Sequence, residues 1–144
     1  MGLRRFSPHR TAQMGSVSLE FVILLPFLIM ILVGILDLSL LMYDKAALAT
    51  AARVAVRAGT MVSVPAMTTT QVAAVATANV NNSLISSGVA SPPTVTVTHA
   101  SGTNPGNPLT VQISYTYKGL FLGSALSALT GPVVLNATAV MNYE

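Results

Sequence analysis

Residues 15–43 read GSVSLEFVILLPFLIMILVGILDLSLLMY, and this stretch decides how the chain is organised. From Phe21 to Leu36 it carries no charged side chain. A helix over 21–43 would be about 34 Å long at roughly 1.5 Å per residue, which exceeds the hydrocarbon core of about 30 Å. Because this helix would be apolar on all sides, the stretch predicts a membrane span rather than an amphipathic surface helix.

The composition of the whole chain also indicates contact with something other than water. The 144 residues are 52% apolar and 8% charged, whereas about 25% of the residues in an ordinary soluble domain are charged. Cysteine is absent, which excludes disulfides, thiolate metal sites and a lipoprotein anchor. Beyond Arg57 the only formally charged side chains are Lys118 and Glu144. These are too few for a nucleic-acid surface.

A short basic segment precedes the span and ends at a glycine. Residues 1–15 contain three arginines, and Glu20 stands five residues after Gly15, immediately before the apolar run. This arrangement resembles the prepilin-peptidase site of type IV pilins and their relatives. The resemblance implies cleavage after Gly15 and a mature chain that begins at Ser16. Glycine suits such a site because it lets another backbone approach closely.

Glu20 has the strongest functional claim among the individual side chains. A carboxylate at the border of a membrane span is costly and usually has a partner. In an assembled pilus, that partner would be the free amino group of a neighbouring subunit, which cleavage creates. The pairing would set the axial register between subunits. The alternative is that Glu20 is a solvated interfacial residue and that the glycine occurs there by chance.

Several further motifs resemble the TadE-like family, which comprises minor pseudopilins of the tight-adherence (Flp pilus) secretion system. The motifs are GSVSLEFVILLP at 15–26, GILD at 34–37, AAR at 51–53, RAG at 57–59 and ATAVM at 137–141. The resemblance is strongest over residues 15–59 and loose between 60 and 108. Ser16 replaces the aromatic first residue that is common in type IV pilins, so amino-terminal methylation stays open.

The resemblance implies a role in pilus assembly, adhesion and biofilm formation, with residence in the bacterial inner membrane. Its implied partners are a prepilin peptidase, other pilin or pseudopilin subunits, inner-membrane tight-adherence assembly proteins and the lipid bilayer. It does not say whether the subunit enters the extracellular fibre or stays in the membrane. No nucleic acid, small-molecule substrate or cofactor is implied.

The chain divides into a cleaved leader, a long helix and a small outer domain. The leader is residues 1–15, and the span with its stalk is residues 16–59. The alanine-rich segment after the span continues the same helix, which Gly59 is predicted to stop. The outer domain is residues 60–144, and Pro65 breaks the chain near its start.

The outer domain is predicted to contain one main helix. Apolar residues at three- and four-residue spacings predict a helix over 68–87, capped by a threonine at its start and ended by Gly88. A second, short helix is possible at 120–129.

Three segments of the outer domain are predicted to form strands. Residues 94–98 and 109–117 alternate apolar and polar side chains, and 133–143 continues the pattern. Three strands with one apolar face, covered by a helix, are about the minimum for an independent domain. The predicted fold class is therefore α+β, with a long amino-terminal transmembrane helix followed by one helix and an antiparallel sheet of about three strands.

Three other charged side chains are weaker candidates for contacts. Asp37 lies inside the apolar stretch, about 25 Å along the helix from Glu20. It either reaches toward the outer headgroups or contacts a basic group of another subunit. Arg53 and Arg57 lie four residues apart on one helix face. They either bind anionic headgroups or another subunit, or simply form a solvated face.

No arrangement of residues predicts an enzyme. His9 and His99 lack nearby carboxylates in the sequence, and both are predicted to lie in exposed loops. They offer no metal site. No His–Asp pair is available to activate a serine or threonine, and a glycine-rich phosphate loop is missing from the sequence.

The number of basic residues beside the span does not decide its orientation, because three lie on each side. After the span, Arg53 and Arg57 lie farther from the membrane end than the arginines of the leader, and Asp44 adjoins Lys45. Together with the family resemblance and the low charge of the outer domain, these flanks lead us to expect the amino terminus in the cytoplasm and the nearly uncharged domain in the periplasm. The alternative is a secreted or membrane-tethered binding or adhesion module released by ordinary signal peptidase after residues 47–49 (ALA), although the apolar run is longer than a typical signal sequence.

Overall fold

The computed structural model of the chain describes residues 14–61, 65–85, 92–117, 119 and 131–144, with side chains from Ser18 onward. The elements, in chain order, are α1 (Met14–Thr60), α2 (Thr69–Ser83), β1 (Thr94–His99), β2 (Pro108–Tyr117) and β3 (Val133–Asn142). The three strands form one antiparallel sheet in the order β1-β2-β3. The predicted α+β class is therefore confirmed. The short helix predicted at 120–129 lies outside the described residues.

Helix α1 is one continuous element of 47 residues, about 70 Å long at roughly 1.5 Å per residue. Pro26 lies inside it and does not end it. The helix has two halves with different surroundings. Nearly all described side chains up to Leu36 are exposed, whereas from Asp37 onward one face is buried.

The buried face of the second half is a stripe of residues spaced three or four apart. Its members are small or aliphatic except for two aspartates; they are Asp37, Asp44, Leu48, Ala51, Ala52, Ala55, Val56 and Gly59. This spacing keeps the residues on one side of a helix. The stripe packs on β2 and β3, while α2 packs beside it and over β1. The compact fold therefore includes the second half of α1, which the sequence placed in the stalk.

The sheet turns one apolar face toward the helices. Leu109, Val111, Ile113 and Tyr115 are all buried on this face of β2, as the two-residue alternation predicted. They belong to one core with the helix stripe. The side chains between them face outward and are polar.

Helix α2 begins where the sequence indicated. Thr68 is its N-cap and forms a capping box with Gln71, in which each side chain accepts a hydrogen bond from the other residue's backbone N–H. The helix ends at Ser83, short of the predicted 87, because Leu84 is already extended. Gly88, the predicted terminator, lies outside the described residues.

Gly59 does not stop α1 as predicted; the helix runs through it to Thr60. A Cβ atom at this position would lie 2.6 Å from Leu109 Cδ2 and 2.7 Å from Val72 Cγ2. Glycine is therefore needed for close packing of α1 against β2 and α2, and not for a left-handed cap. Glycine suits both a helix end and a close packing contact, so the residue type alone did not distinguish these two roles. The packing around Gly59 does.

Two contacts define the direction of β2 relative to α1. Leu109, at the start of β2, lies against Gly59 near the end of the helix. Tyr117, at the end of β2, donates a hydrogen bond of 3.0 Å from its hydroxyl to the carbonyl oxygen of Asp37. Strand β2 therefore runs back along the helix, and β1 and β3 run in the same direction as α1.

The carboxyl end of the chain is held at the far end of the sheet. Tyr143 donates its backbone N–H to Asn107 O (2.9 Å), and Gly106 donates to Tyr143 O (2.8 Å). Gly106 has a φ of 86°, which favours glycine. The Tyr143 hydroxyl lies 2.7 Å from His99 Nδ1, and the two rings stack. His99 is thus a half-buried strand residue and not the exposed loop residue that was predicted.

Candidate functional site

The first half of α1 presents a large apolar surface. Between Leu19 and Leu36, fourteen large apolar side chains are exposed, with Phe21 at 61%. Within the described part of the chain, one helix is long and apolar enough to cross a membrane, and it is this one. The criterion rests on its length and composition.

The energetic cost of leaving this surface in water is large. Burying one such side chain contributes about 1.5–3 kcal/mol, so fourteen together correspond to roughly 20 kcal/mol or more. Residues 18–36 span about 28 Å, close to the thickness of a hydrocarbon core. The exposed run is therefore long enough to cross a hydrocarbon core, and the first buried residue of α1, Asp37, follows directly after it.

The predicted cleavage site lies in the first turn of α1. Gly15 and Ser16 follow directly after Met14, the first helical residue, and their side chains are outside the described set. Cleavage between them stays a prediction. Glu20 lies one turn further along and is exposed, and the described residues supply it with no ion-pair partner. Its carboxylate is therefore available to another molecule.

Asp37 is largely covered by the chain's own fold, which the sequence did not indicate. Only 8% of the residue is exposed, and its carbonyl oxygen accepts the hydrogen bond from the Tyr117 hydroxyl. Its position marks the junction between the exposed run and the folded domain. A contact of Asp37 with another subunit stays a prediction, and the chain's own fold already covers most of the residue.

Asp44 is a buried carboxylate whose burial sequence reasoning missed. It is 1% exposed, and its Oδ1 accepts a hydrogen bond of 3.2 Å from the backbone N–H of Ile85, just after α2. Among the described residues, neither its buried Oδ2 nor the buried hydroxyl of Tyr115 finds a hydrogen-bond partner. Asp44 lies beyond the exposed run, and burial raises the pKa of its carboxyl despite the opposing hydrogen bond from Ile85.

A signal for this burial exists in the sequence. Asp44 falls four residues before Leu48 and seven before Ala51, on the same helix face. The pair Asp44-Lys45 was instead interpreted as the point where the helix enters water. The structure separates the two side chains, since Lys45 is exposed and Asp44 faces the core.

Tyr117 completes the group of polar residues near the junction. Burial raises the pKa of its hydroxyl, and the neighbouring Asp37, Asp44 and Tyr115 raise the same pKa further. The hydroxyl therefore stays protonated at neutral pH and remains a donor to the Asp37 carbonyl. This arrangement ties the sheet to the helix and does not resemble a catalytic group.

Arg53 and Arg57 both lie on the exposed side of α1, opposite the buried stripe. Arg57 is in the last turn of the helix, where a cation interacts favourably with the helix dipole. Both side chains are free of the core and accessible to an anionic partner. They are far from Glu20, so the structure does not join the predicted contact residues into one site.

The described residues contain no group of three or more His, Asp or Glu side chains that could hold a metal ion. The functional features are instead distributed along one helix. Glu20 lies near its beginning, the apolar run follows, the junction at Asp37 comes next, and the two arginines lie near its end. The arrangement suits anchoring and contact with other proteins.

Comparison with known proteins identifies this same helix. Residues 15–57 match the model of the TadE-like protein family, which confirms the resemblance drawn from the sequence over that segment. The match suggests involvement in the tight-adherence pilus system. No curated protein and no solved structure matches the chain significantly. The resemblance of the carboxyl-terminal tail to the family stays a prediction.

Proposed function

We propose that this chain, whose residues 15–57 match the TadE-like family, is a minor pseudopilin that serves as a structural and assembly component of a tight-adherence pilus system. One observation carries the proposal above the others. The helix with the exposed apolar run and Glu20 is continuous with the helix that forms the core of the outer domain. The anchor and the domain are therefore a single mechanical unit.

This continuity supports an assembly role because the position of the domain follows that of the helix. The stripe from Asp37 to Gly59 is packed against the sheet along its whole length. A flexible tether would decouple the domain from the membrane, whereas this helix holds it at a defined height. Subunits whose helices are aligned would have aligned outer domains.

The proposed processing step creates a partner for Glu20. Cleavage between Gly15 and Ser16 by a prepilin peptidase releases a new amino terminus on Ser16. The Glu20 carboxylate then pairs with the amino group of a neighbouring subunit, a contact that removes the cost of an isolated charge at the membrane border. Each subunit supplies one member of each pair, so the contact repeats along an assembly.

The proposed location is the bacterial inner membrane, with the amino terminus in the cytoplasm and the domain in the periplasm. The leader is basic, and the only formally charged side chains beyond Arg57 are Lys118 and Glu144. Such a domain crosses a membrane at low electrostatic cost. Its partners are the prepilin peptidase, other pilin or pseudopilin subunits and the membrane proteins of the tight-adherence system.

The mature amino terminus tests the proposal directly. In a strain with an active prepilin peptidase, intact-mass measurement and amino-terminal sequencing should show a chain that begins at Ser16. Gly15→Val should block this cleavage, while Gly2→Val, in the same leader, should leave it unchanged. A full-length chain in that strain would count against the proposal.

The same measurement distinguishes the alternative of a secreted binding module. Ordinary signal peptidase acting after Ala49 would give a soluble chain that begins at Thr50. That product would lack Leu48 and Asp44, both of which lie in the buried stripe of the domain. The loss of core residues makes this product less favourable than the chain that begins at Ser16.

A further inference from the structure

The described sheet has two edge strands of unusual composition. Among the described residues, β2 alone is paired on both sides. Strand β3 has ten residues and contains neither a charged residue nor proline, and the six residues of β1 likewise include neither Lys, Arg, Asp, Glu nor Pro. Natural edge strands are usually protected by lysine, proline, bulges or short length, because unpaired backbone groups recruit other strands.

The outward face of the sheet adds no electrostatic barrier. The residues that face away from the helices are threonine, serine, asparagine, glutamine, valine and a proline, without a formal charge. On β3, Val134 and Val140 are large apolar residues on this face and are about half exposed. Two copies can therefore bring these faces side by side without like-charge repulsion.

The direction of the strands limits how two copies can meet. Because β2 runs back along α1, β1 and β3 both run away from the Asp37 end. Copies anchored in one membrane with the same orientation have parallel α1 helices. If β3 of one copy paired in antiparallel fashion with β3 of another, the two α1 helices would point in opposite directions. Two copies inserted in one membrane with the same orientation cannot do this.

We infer that membrane-anchored copies of this chain associate side by side, with β3 of one copy pairing in parallel with β1 of the next. This inference rests on the membrane anchoring in the proposed function, and not on its assignment to the pilus system. The pairing extends the sheet, keeps the helices on one face and leaves a free edge at each end. It is therefore head-to-tail and produces rings or open rows of copies.

The common depth in the membrane also sets the register. Within one copy, Thr96 of β1 is level with Gln112 of β2, which is level with Thr138 of β3. Copies at equal depth bring Thr138 of one beside Thr96 of the next. Adjacent strands lie about 4.8 Å apart, which is within the Cα separation of a disulfide.

Cysteine cross-linking in membranes tests this pairing, because the native chain has no cysteine. The full-length double variant Thr96→Cys/Thr138→Cys should form a ladder of disulfide-linked dimers, trimers and larger species on mild oxidation. The matched variant Thr96→Cys/Val134→Cys, four residues lower on the same face, should form little. A ladder from the Val134 pair alone, or none from either pair, would overturn the inference.

The single variants Thr96→Cys and Thr138→Cys report the symmetry of the contact. Neither should form a dimer, since head-to-tail pairing joins unlike edges. Strong dimers from either single variant would show that like edges meet, and would overturn the head-to-tail arrangement.

A charge on the free edge provides the second test. In the Thr96→Cys/Thr138→Cys background, Val140→Lys should remove most of the ladder, whereas Gln112→Lys on the central strand of the same face should preserve it. Equal loss from both lysines would argue for a general effect of charge or folding and against edge pairing. If the chain forms the cross-linked ladder but is not cleaved after Gly15, the side-by-side association stands and the proposed processing is overturned. If the chain is cleaved but forms no ladder, the processing stands and the association is overturned.

Discussion

The hydroxyl of Tyr117 donates a hydrogen bond of 3.0 Å to the carbonyl oxygen of Asp37, across 80 positions of the chain. The contact joins the last residue of β2 to the point on α1 where the exposed apolar run ends. It therefore orients the sheet relative to the anchor. Together with the packing of Leu109 on Gly59, it aligns the strands with the long helix.

Replacing Tyr117 with phenylalanine should weaken the domain modestly. The variant removes one hydrogen bond and keeps the ring, so we expect a loss of about 0.5–1.5 kcal/mol in the free energy of unfolding. Denaturant unfolding of the detergent-solubilised chain, followed by circular dichroism, measures this loss. Tyr43→Phe, on the exposed side of α1, is the control and should change little; equal losses would show that the Asp37 contact is not the cause.

Gly59→Ala should destabilise the domain through overpacking. The added methyl would meet Leu109 and Val72 at less than 3 Å, and such crowding costs about 1–3 kcal/mol. This loss would appear despite the higher helix propensity of alanine, which alone predicts a gain of about 1 kcal/mol. Ala46→Ser, on the exposed face of the same helix, adds one atom without a clash. A more stable Gly59→Ala variant would contradict the packing role.

Asp44→Asn should stabilise the domain at neutral pH. Because burial raises the pKa of Asp44 above its ordinary value of 3.8, folding favours the protonated carboxyl. The stability that this group contributes is fully present below its unfolded pKa and is lost as pH rises through its folded pKa. Thermal unfolding of wild type between pH 4 and pH 7 should show this loss.

The asparagine variant should remove that part of the pH dependence, since its side chain does not titrate. Its amide oxygen can still accept the hydrogen bond from Ile85, which Asp44 Oδ1 accepts in the native chain. Glu144→Gln, which changes an exposed carboxylate, is the matched control. It should preserve the difference in stability between pH 4 and pH 7. An Asp44→Asn variant that is less stable at pH 7 than wild type would refute the assignment.

Glu20→Ala should preserve membrane insertion and impair assembly. The apolar run that drives insertion is unchanged, whereas the carboxylate proposed to pair with a neighbouring amino terminus is lost. Membrane fractionation and electron microscopy of pili measure the two effects separately. Leu19→Ala, the exposed neighbour, serves as the control. Normal pili in the Glu20→Ala strain would exclude the pairing.

Much of the fold was predictable from local patterns. Two-residue alternation located β1, β2 and β3 because strand side chains alternate between faces. The capping threonine of α2 was recognisable because its chemistry is local. The long apolar run likewise predicted a helix able to cross a membrane, and the described structure contains one that is long and apolar enough to do so.

The sequence indicated which residues belong to the candidate site, but not which of them the fold buries. Glu20 and the two arginines are exposed, as expected of residues that meet other molecules or solvent. Asp37 and Asp44 are covered because they lie on the stripe that packs against the sheet. Helical spacing carried a signal for Asp44, which shares a face with Leu48 and Ala51. Local hydropathy gave no such signal for Asp37, because the residues around it are mostly apolar on every side of the helix.

Residues 15–43 were sufficient to indicate an anchor, since the length and apolarity of a span are properties of consecutive residues. The tertiary structure alone showed that, from Asp37 onward, one face of α1 belongs to the domain core. The physical reason is that burial depends on which face another element covers. That face is selected by contacts such as Leu109 with Gly59 and Tyr117 with Asp37, which join residues distant in the chain.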